Sequence, residues 1–137
     1  MRISAVATYR PRSTAGQFIA AKVTPAVTAS VQASANVILD RSQELVPVGT
    51  GELKASGHVE VDESGRVARV VYDSNHSAYV EFGTGQAGAA SAWAGGGPYD
   101  PNWPGMAAQP YLRPAYEESK PGILDLFRSQ IATGLGQ

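Results

Sequence analysis

The chain of 137 residues contains no cysteine. Disulfide scaffolds, thiolate zinc sites, iron–sulfur clusters and cysteine nucleophiles are therefore excluded. Large apolar side chains are also scarce. Hydrophobic residues make up 43% of the chain, yet 21 of them are alanine and only 28 are Val, Leu, Ile or Phe. That is near the lower edge of what supports an independent core. Charge of one sign is missing too: 11 basic and 12 acidic residues leave a formal charge of −1, which carries no whole-chain signature of nucleic-acid binding. No run approaches the roughly 20 apolar residues of a membrane span. The stretch from Met1 to Thr8 lacks the apolar segment of a secretory signal. The expectation is a soluble protein of a cytoplasm with no membrane partner, in which Asn75-His76-Ser77 matches a glycosylation acceptor by chance.

What is abundant is backbone punctuation. Fifteen glycines and nine prolines imply that much of the chain is loop. A thin core with long loops points to a protein that completes its burial against neighbours. Charge is unevenly spread along it. Residues 1–24 carry Arg2, Arg10, Arg12 and Lys22 with no acid, whereas residues 47–83 carry a net charge of −3. A basic arm and an acidic body can attract each other within one chain or between copies.

The first element is expected at Thr24-Pro25, where threonine caps and proline occupies the first helical position. Val27, Val31, Ala35, Ile38 and Leu45 then keep helical spacing, Leu39 and Val46 widen the stripe, and Pro47 ends it. The pattern predicts an amphipathic helix over 25–46. Gly49-Thr50-Gly51 reads as a turn. Val59 and Val61 alternate with Glu60 and Asp62, Glu63-Ser64-Gly65 reverses the chain, and residues 66–72 supply a second strand. This is a hairpin. Residues 78–82 are short and read equally as helix or strand. From Gly83 to Gln109 the chain is mostly Gly, Ala, Pro and Ser, punctuated by Trp93, Tyr99 and Trp103. A loop this long needs its own job, so these aromatics either fold back on their own domain or dock on a partner. At the C-terminal end Leu112, Tyr116, Ile123, Phe127 and Ile131 form one helical stripe, and Pro121 predicts a kink near Ser119-Lys120. The fold class is α+β: a long N-terminal helix, a small antiparallel sheet with a hairpin, and a kinked C-terminal helix packed on the sheet. Residues 1–24 form an extended basic arm and 25–137 a single domain with a Gly/Ala/Trp-rich loop at 85–109.

Signs of chemistry are weak. Gly83-Thr84-Gly85-Gln86-Ala87-Gly88 matches a dinucleotide fingerprint literally, but no amphipathic helix comes after it and the chain lacks alternating strand–helix units. His58 and His76 lack the spacing of a helical metal pair, although Asp73 and Glu81 lie near His76 in sequence. A metal-dependent hydrolase built on His58, His76 and Asp73 is the enzymatic alternative. No nucleophile elbow and no phosphate loop appear. The expectation is a non-enzyme with no catalytic residue, no cofactor and no metal.

Three strings are more informative. Val46-Pro47-Val48-Gly49-Thr50-Gly51-Glu52-Leu53-Lys54-Ala55-Ser56 closes the first helix. Tyr79-Val80-Glu81-Phe82-Gly83-Thr84 comes after the hairpin, and Gln109-Pro110-Tyr111-Leu112-Arg113-Pro114-Ala115-Tyr116 opens the last helix. In this order and spacing, over about residues 25–134, the chain resembles the gene-product-ten-type tail-component or neck family of long-tailed bacteriophages. That family shares P-x-x-T-G-x-L-x-x-S, Y-V-E-F-G-T and P-[FY]-L-x-P-A segments. Two departures stand out: the aromatic 85–109 loop replaces a short link, and Pro121 interrupts a terminal helix that is usually continuous.

The strings make sense as architecture. Thr50 can cap a turn, Gly51 permits an unusual φ and Leu53 anchors the segment after them. Tyr79 and Phe82 can pack while Gly83 releases the chain. Pro110 and Pro114 hold an extended lead-in, with the motif residue Tyr111 between them, so that Leu112 enters the core. Glu81, the one charged residue of its string, is either solvated or bonded to backbone N–H groups of a neighbouring turn. The resemblance implies a structural protein of the virion, a neck or tail-completion component at the head–tail connection, made in the host cytoplasm. Its partners would be further copies in a ring, other head-connector and tail proteins, and the DNA passing through the channel. Arg2, Arg10, Arg12, Trp93, Tyr99 and Trp103 are the candidates for assembly contacts. A tail terminator or minor tail protein is the alternative within the class, and a small nucleic-acid-binding module using the basic arm the alternative outside it.

Overall fold

The computed structural model of the protein describes residues 2–6, 14–49, 51–85 and 104–136. In chain order the elements are β1 (Arg2–Val6), α1 (Thr14–Leu45), α2 (Glu52–Ala55), β2 (Gly57–Val61), β3 (Val67–Tyr72), α3 (Ser77–Phe82) and α4 (Leu112–Gly134). The expected α+β class is observed, but the C-terminal helix lies chiefly against α1 rather than on the sheet. β3 is the middle strand of an antiparallel sheet ordered β1-β3-β2, with Ile3 opposite Val70 on one side and Val59 opposite Val70 on the other.

α1 realises the expected stripe. Val31, Ala35 and Ile38 are buried, and Val27, Leu39 and Leu45 pack against them. Between these apolar positions Ser30, Ser34 and Ser42 are buried as well. Each keeps its hydroxyl satisfied by donating to a carbonyl of the same helix: Ser30 to Ala26, Ser34 to Ser30 and Ser42 to Leu39, at 2.6–2.8 Å. Small residues on this face let β3 and α4 approach closely. α4 lies antiparallel to α1: Arg41 bonds Glu118 at 2.6 Å near one end, and Gly134 sits against Ala26 and Lys22 near the other.

Two boundaries differ from expectation. α1 begins at Thr14 rather than at Thr24-Pro25, so Pro25 lies inside the helix. Proline deletes one ladder bond, here to the carbonyl of Ala21, at a cost of ~3 kcal/mol in a regular helix. Pro25 is exposed, so water can reach that carbonyl, and the alanines at 15, 20 and 21 favour helix. Arg2–Val6, expected to leave the domain, pair with Val67–Val71 of the same chain. Within the arm expected at 1–24, residues 2–6 form a strand of the chain's own sheet and residues 14–24 belong to α1. α4 likewise runs as one helix through an exposed Pro121, and the carbonyl of Glu117 behind the ring is the group left without its ladder donor. The ambiguous residues 78–82 are helical, within α3.

The hairpin turn is held by Asp62. Its Oδ1 accepts the N–H groups of Arg66 and Val67, both at 3.0 Å, and its Oδ2 accepts the Ser64 hydroxyl at 2.6 Å. These bonds, the Ser64 hydroxyl foremost, hold the Asp62 carboxyl below its ordinary range. Gly65 completes the turn at φ +66°, facing Thr28 of α1. The tip of the hairpin therefore lies level with Thr28.

Candidate assembly site

Two of the three strings singled out in the sequence meet at Glu81, and the first lies beside them across a cleft lined by Pro47, Leu53, Val80 and Gln109. Glu81 sits in the last turn of α3 and is only 3% exposed. Its Oε2 accepts the backbone N–H groups of Tyr111 and Leu112 at 2.8 and 2.9 Å, and its Oε1 accepts that of Arg113 at 2.9 Å. The opening N–H groups of a helix have no partner within the helix, and the helix dipole favours negative charge there. A cap normally comes from the residue just before the helix. Here it comes from thirty residues upstream, so one carboxylate both caps α4 and ties it to α3.

The neighbouring backbone reinforces this joint. Gln109 donates to the Val80 carbonyl at 2.8 Å and Thr84 to the Met106 carbonyl at 2.8 Å, while Met106 donates to the Thr84 hydroxyl at 3.0 Å. Gly83 turns the chain out of α3 at φ +71°, a conformation that favours glycine. Tyr111 and Leu112 are completely buried. The Tyr111 ring meets the Tyr72 ring edge-on, with centroids 4.9 Å apart, and the Tyr72 hydroxyl lies 2.7 Å from the Ser42 hydroxyl. Burial, and then the nearby Glu81 charge, push the Tyr111 phenol well above its ordinary range. A continuous set of contacts therefore joins α1, β3, α3 and α4.

The remaining motif residues have plain roles. Gly51 caps α2 at φ +80° and Leu53 is buried. Phe82, Pro110 and Pro114 are half-buried, while Tyr79 is at the surface. Thr50 lies outside the described residues, as do Arg10, Arg12, Trp93, Tyr99 and Trp103; Arg2 is placed by its backbone in β1. His58 lies 3.5 Å from Asp73 and 3.6 Å from Glu60 near the start of β2. His76 stands apart from this group at the N-cap of α3. Among the described residues no group of three or more His, Asp or Glu side chains is arranged to hold a metal ion.

The feature sequence reading missed is a partly open cavity of about 300 Å³ between α1, β3 and α4. Val31, Ala35, Ile38, Ala68, Val70, Tyr116, Ile123 and Leu124 line it, with Ser34 and Lys120 as its polar members. Periodicity places these residues on inward faces but cannot say whether the faces close. Leu124, on the rim, is 57% exposed. Phe18 of α1 is 65% exposed, and its position off the Val27–Val31–Ile38 stripe was the one available signal that it serves something other than the core.

Buried polar groups here secure the fold, and the unfilled capacity is apolar. A family model described as "Bacteriophage HK97-gp10, putative tail-component" matches residues 15–83. The chain belongs to this HK97-gp10-like family of bacteriophage structural tail components. No curated protein and no solved structure matches it.

Proposed function

We propose that the chain is a head–tail connection protein of a long-tailed phage, a neck or tail-completion component that acts as one subunit of a ring and carries out no catalysis. Family membership supplies the tail assignment. The observation that supports a ring-forming role is the open apolar cavity of about 300 Å³ on a chain with few large apolar residues. Its lining loses dispersion contacts in a single copy and regains them when a neighbour fills the space. Glu81 contributes by fixing α4 to α3, so that the cavity wall is rigid before assembly. Trp93, Tyr99 and Trp103, in the segment whose base is closed by the Thr84–Met106 pair, are the proposed contacts to other tail and head-connector proteins. Arg2, Arg10 and Arg12 are the proposed contacts to partners or to DNA in the channel.

The test is a phage carrying a stop codon early in this gene. Its lysate should contain DNA-filled heads and complete tails that are not joined, and supplying the chain from a plasmid should join them. Normal joined particles without the chain would overturn the proposal.

A further inference from the structure

Among the described elements, the first turns of α1 extend past the end of α4 and the tip of the hairpin. The last turn of α4 lies against Lys22 and Ala26, and the hairpin tip lies level with Thr28. At 1.5 Å per residue, Thr14 to Ala21 project ~12 Å beyond the end of α4. The large side chains on this projection are Phe18 and Ile19, both exposed. Their flanking residues Ala15, Ala20 and Ala21 are small enough to let the helix lie close against another surface.

Phe18 cannot reach the open cavity of its own chain. The cavity is lined by Val31 to Ile38 of the same helix, and thirteen residues of helix separate Phe18 from Val31 by ~20 Å. A second copy has no such restriction. An apolar cavity of ~150 Å³ takes a benzene ring, so about 300 Å³ admits the Phe18 ring together with part of Ile19.

We propose that the α1 projection of one copy, through Phe18 and Ile19, inserts into the α1–β3–α4 cavity of the next copy. The two patches differ, so the contact is head-to-tail and repeats until it closes as a ring. This rests on the ring reading above and names the surfaces that make it. The tip is the anchor of that interface, and surrounding contacts complete its area.

The experiment uses the full chain, Phe18→Asp, Leu124→Asp and an equal mixture of the two variants, measured by native mass spectrometry and sedimentation velocity. Both positions are more than half exposed, so each variant should melt like the wild type. The wild type should form a multi-copy species, and each variant should weaken the contact roughly 30-fold or more. The mixture should form a two-copy complex and nothing larger, because only one tip and one cavity remain intact per pair. A multi-copy wild type whose variants assemble equally well overturns this interface and leaves the ring reading standing, as does a mixture that forms no pair. A monomeric wild type in which Leu124→Asp red-shifts the emission of Trp93 and Trp103 overturns it in favour of the chain's own 86–103 segment as occupant. Any other wild type that stays monomeric at every concentration overturns the interface together with the ring reading.

Discussion

At the scale of single residues the joint between α3 and α4 depends on Glu81. A buried carboxylate is costly unless every lone pair is well used, and here three backbone donors use them. Glu81→Ala should destabilise the chain by about 3–5 kcal/mol, since it strands two buried N–H groups and one part-buried N–H group at the start of α4. Glu81→Gln should cost about 1–3 kcal/mol, because the amide accepts at one position only and loses its charge. Chemical denaturation measures both, with the exposed Glu63→Ala as a control expected within about 0.5 kcal/mol of wild type. An unaffected Glu81→Ala would remove the clamp from the account. The string around Glu81 was legible, and so was the option that it bonds backbone N–H groups. Its partner was not legible, because a cap from thirty residues away leaves no local spacing to read.

At the scale of elements, the helical stripes of α1 and α4 and the hairpin are legible from periodicity. The boundaries that differ have separate causes. Pro25 reads as a start because proline is well placed at a first helical position, yet an exposed proline inside a long helix loses only one bond. In β1, Ile3 and Ala5 alternate with Arg2 and Ser4, a signal of five residues that pairing with β3, not propensity, makes decisive. The hairpin turn carries a pH-dependent term. Asp62 has its carboxyl lowered below the ordinary 3.8 by the Ser64 hydroxyl and the Val67 and Arg66 N–H groups. The folded state therefore binds fewer protons here than the unfolded state. Its contribution is fully present above pH 3.8 and is lost as pH falls through the lower folded value. Asp62→Asn should lower the denaturation midpoint at neutral pH, and the gap to wild type should narrow steadily below that value. A gap of undiminished size at pH about 2 would contradict the role of the ionised carboxylate.

At the scale of the whole molecule, a thin core and abundant loop predict burial completed by neighbours, and family membership places the chain among phage tail components. The cavity could not be foreseen, because whether inward faces meet depends on how α4 crosses α1, and small residues such as Ser34 and Ala35 set that approach without marking it. The central claim is that many copies of this chain form a ring where head meets tail. A cryo-EM reconstruction of the intact virion tests it most directly. The account predicts a closed ring of this chain at the head–tail junction, with the α1 projection of each copy seated in the cavity of the next. Density for the chain only at the tail tip or along the tube, or a virion without it, would contradict the account.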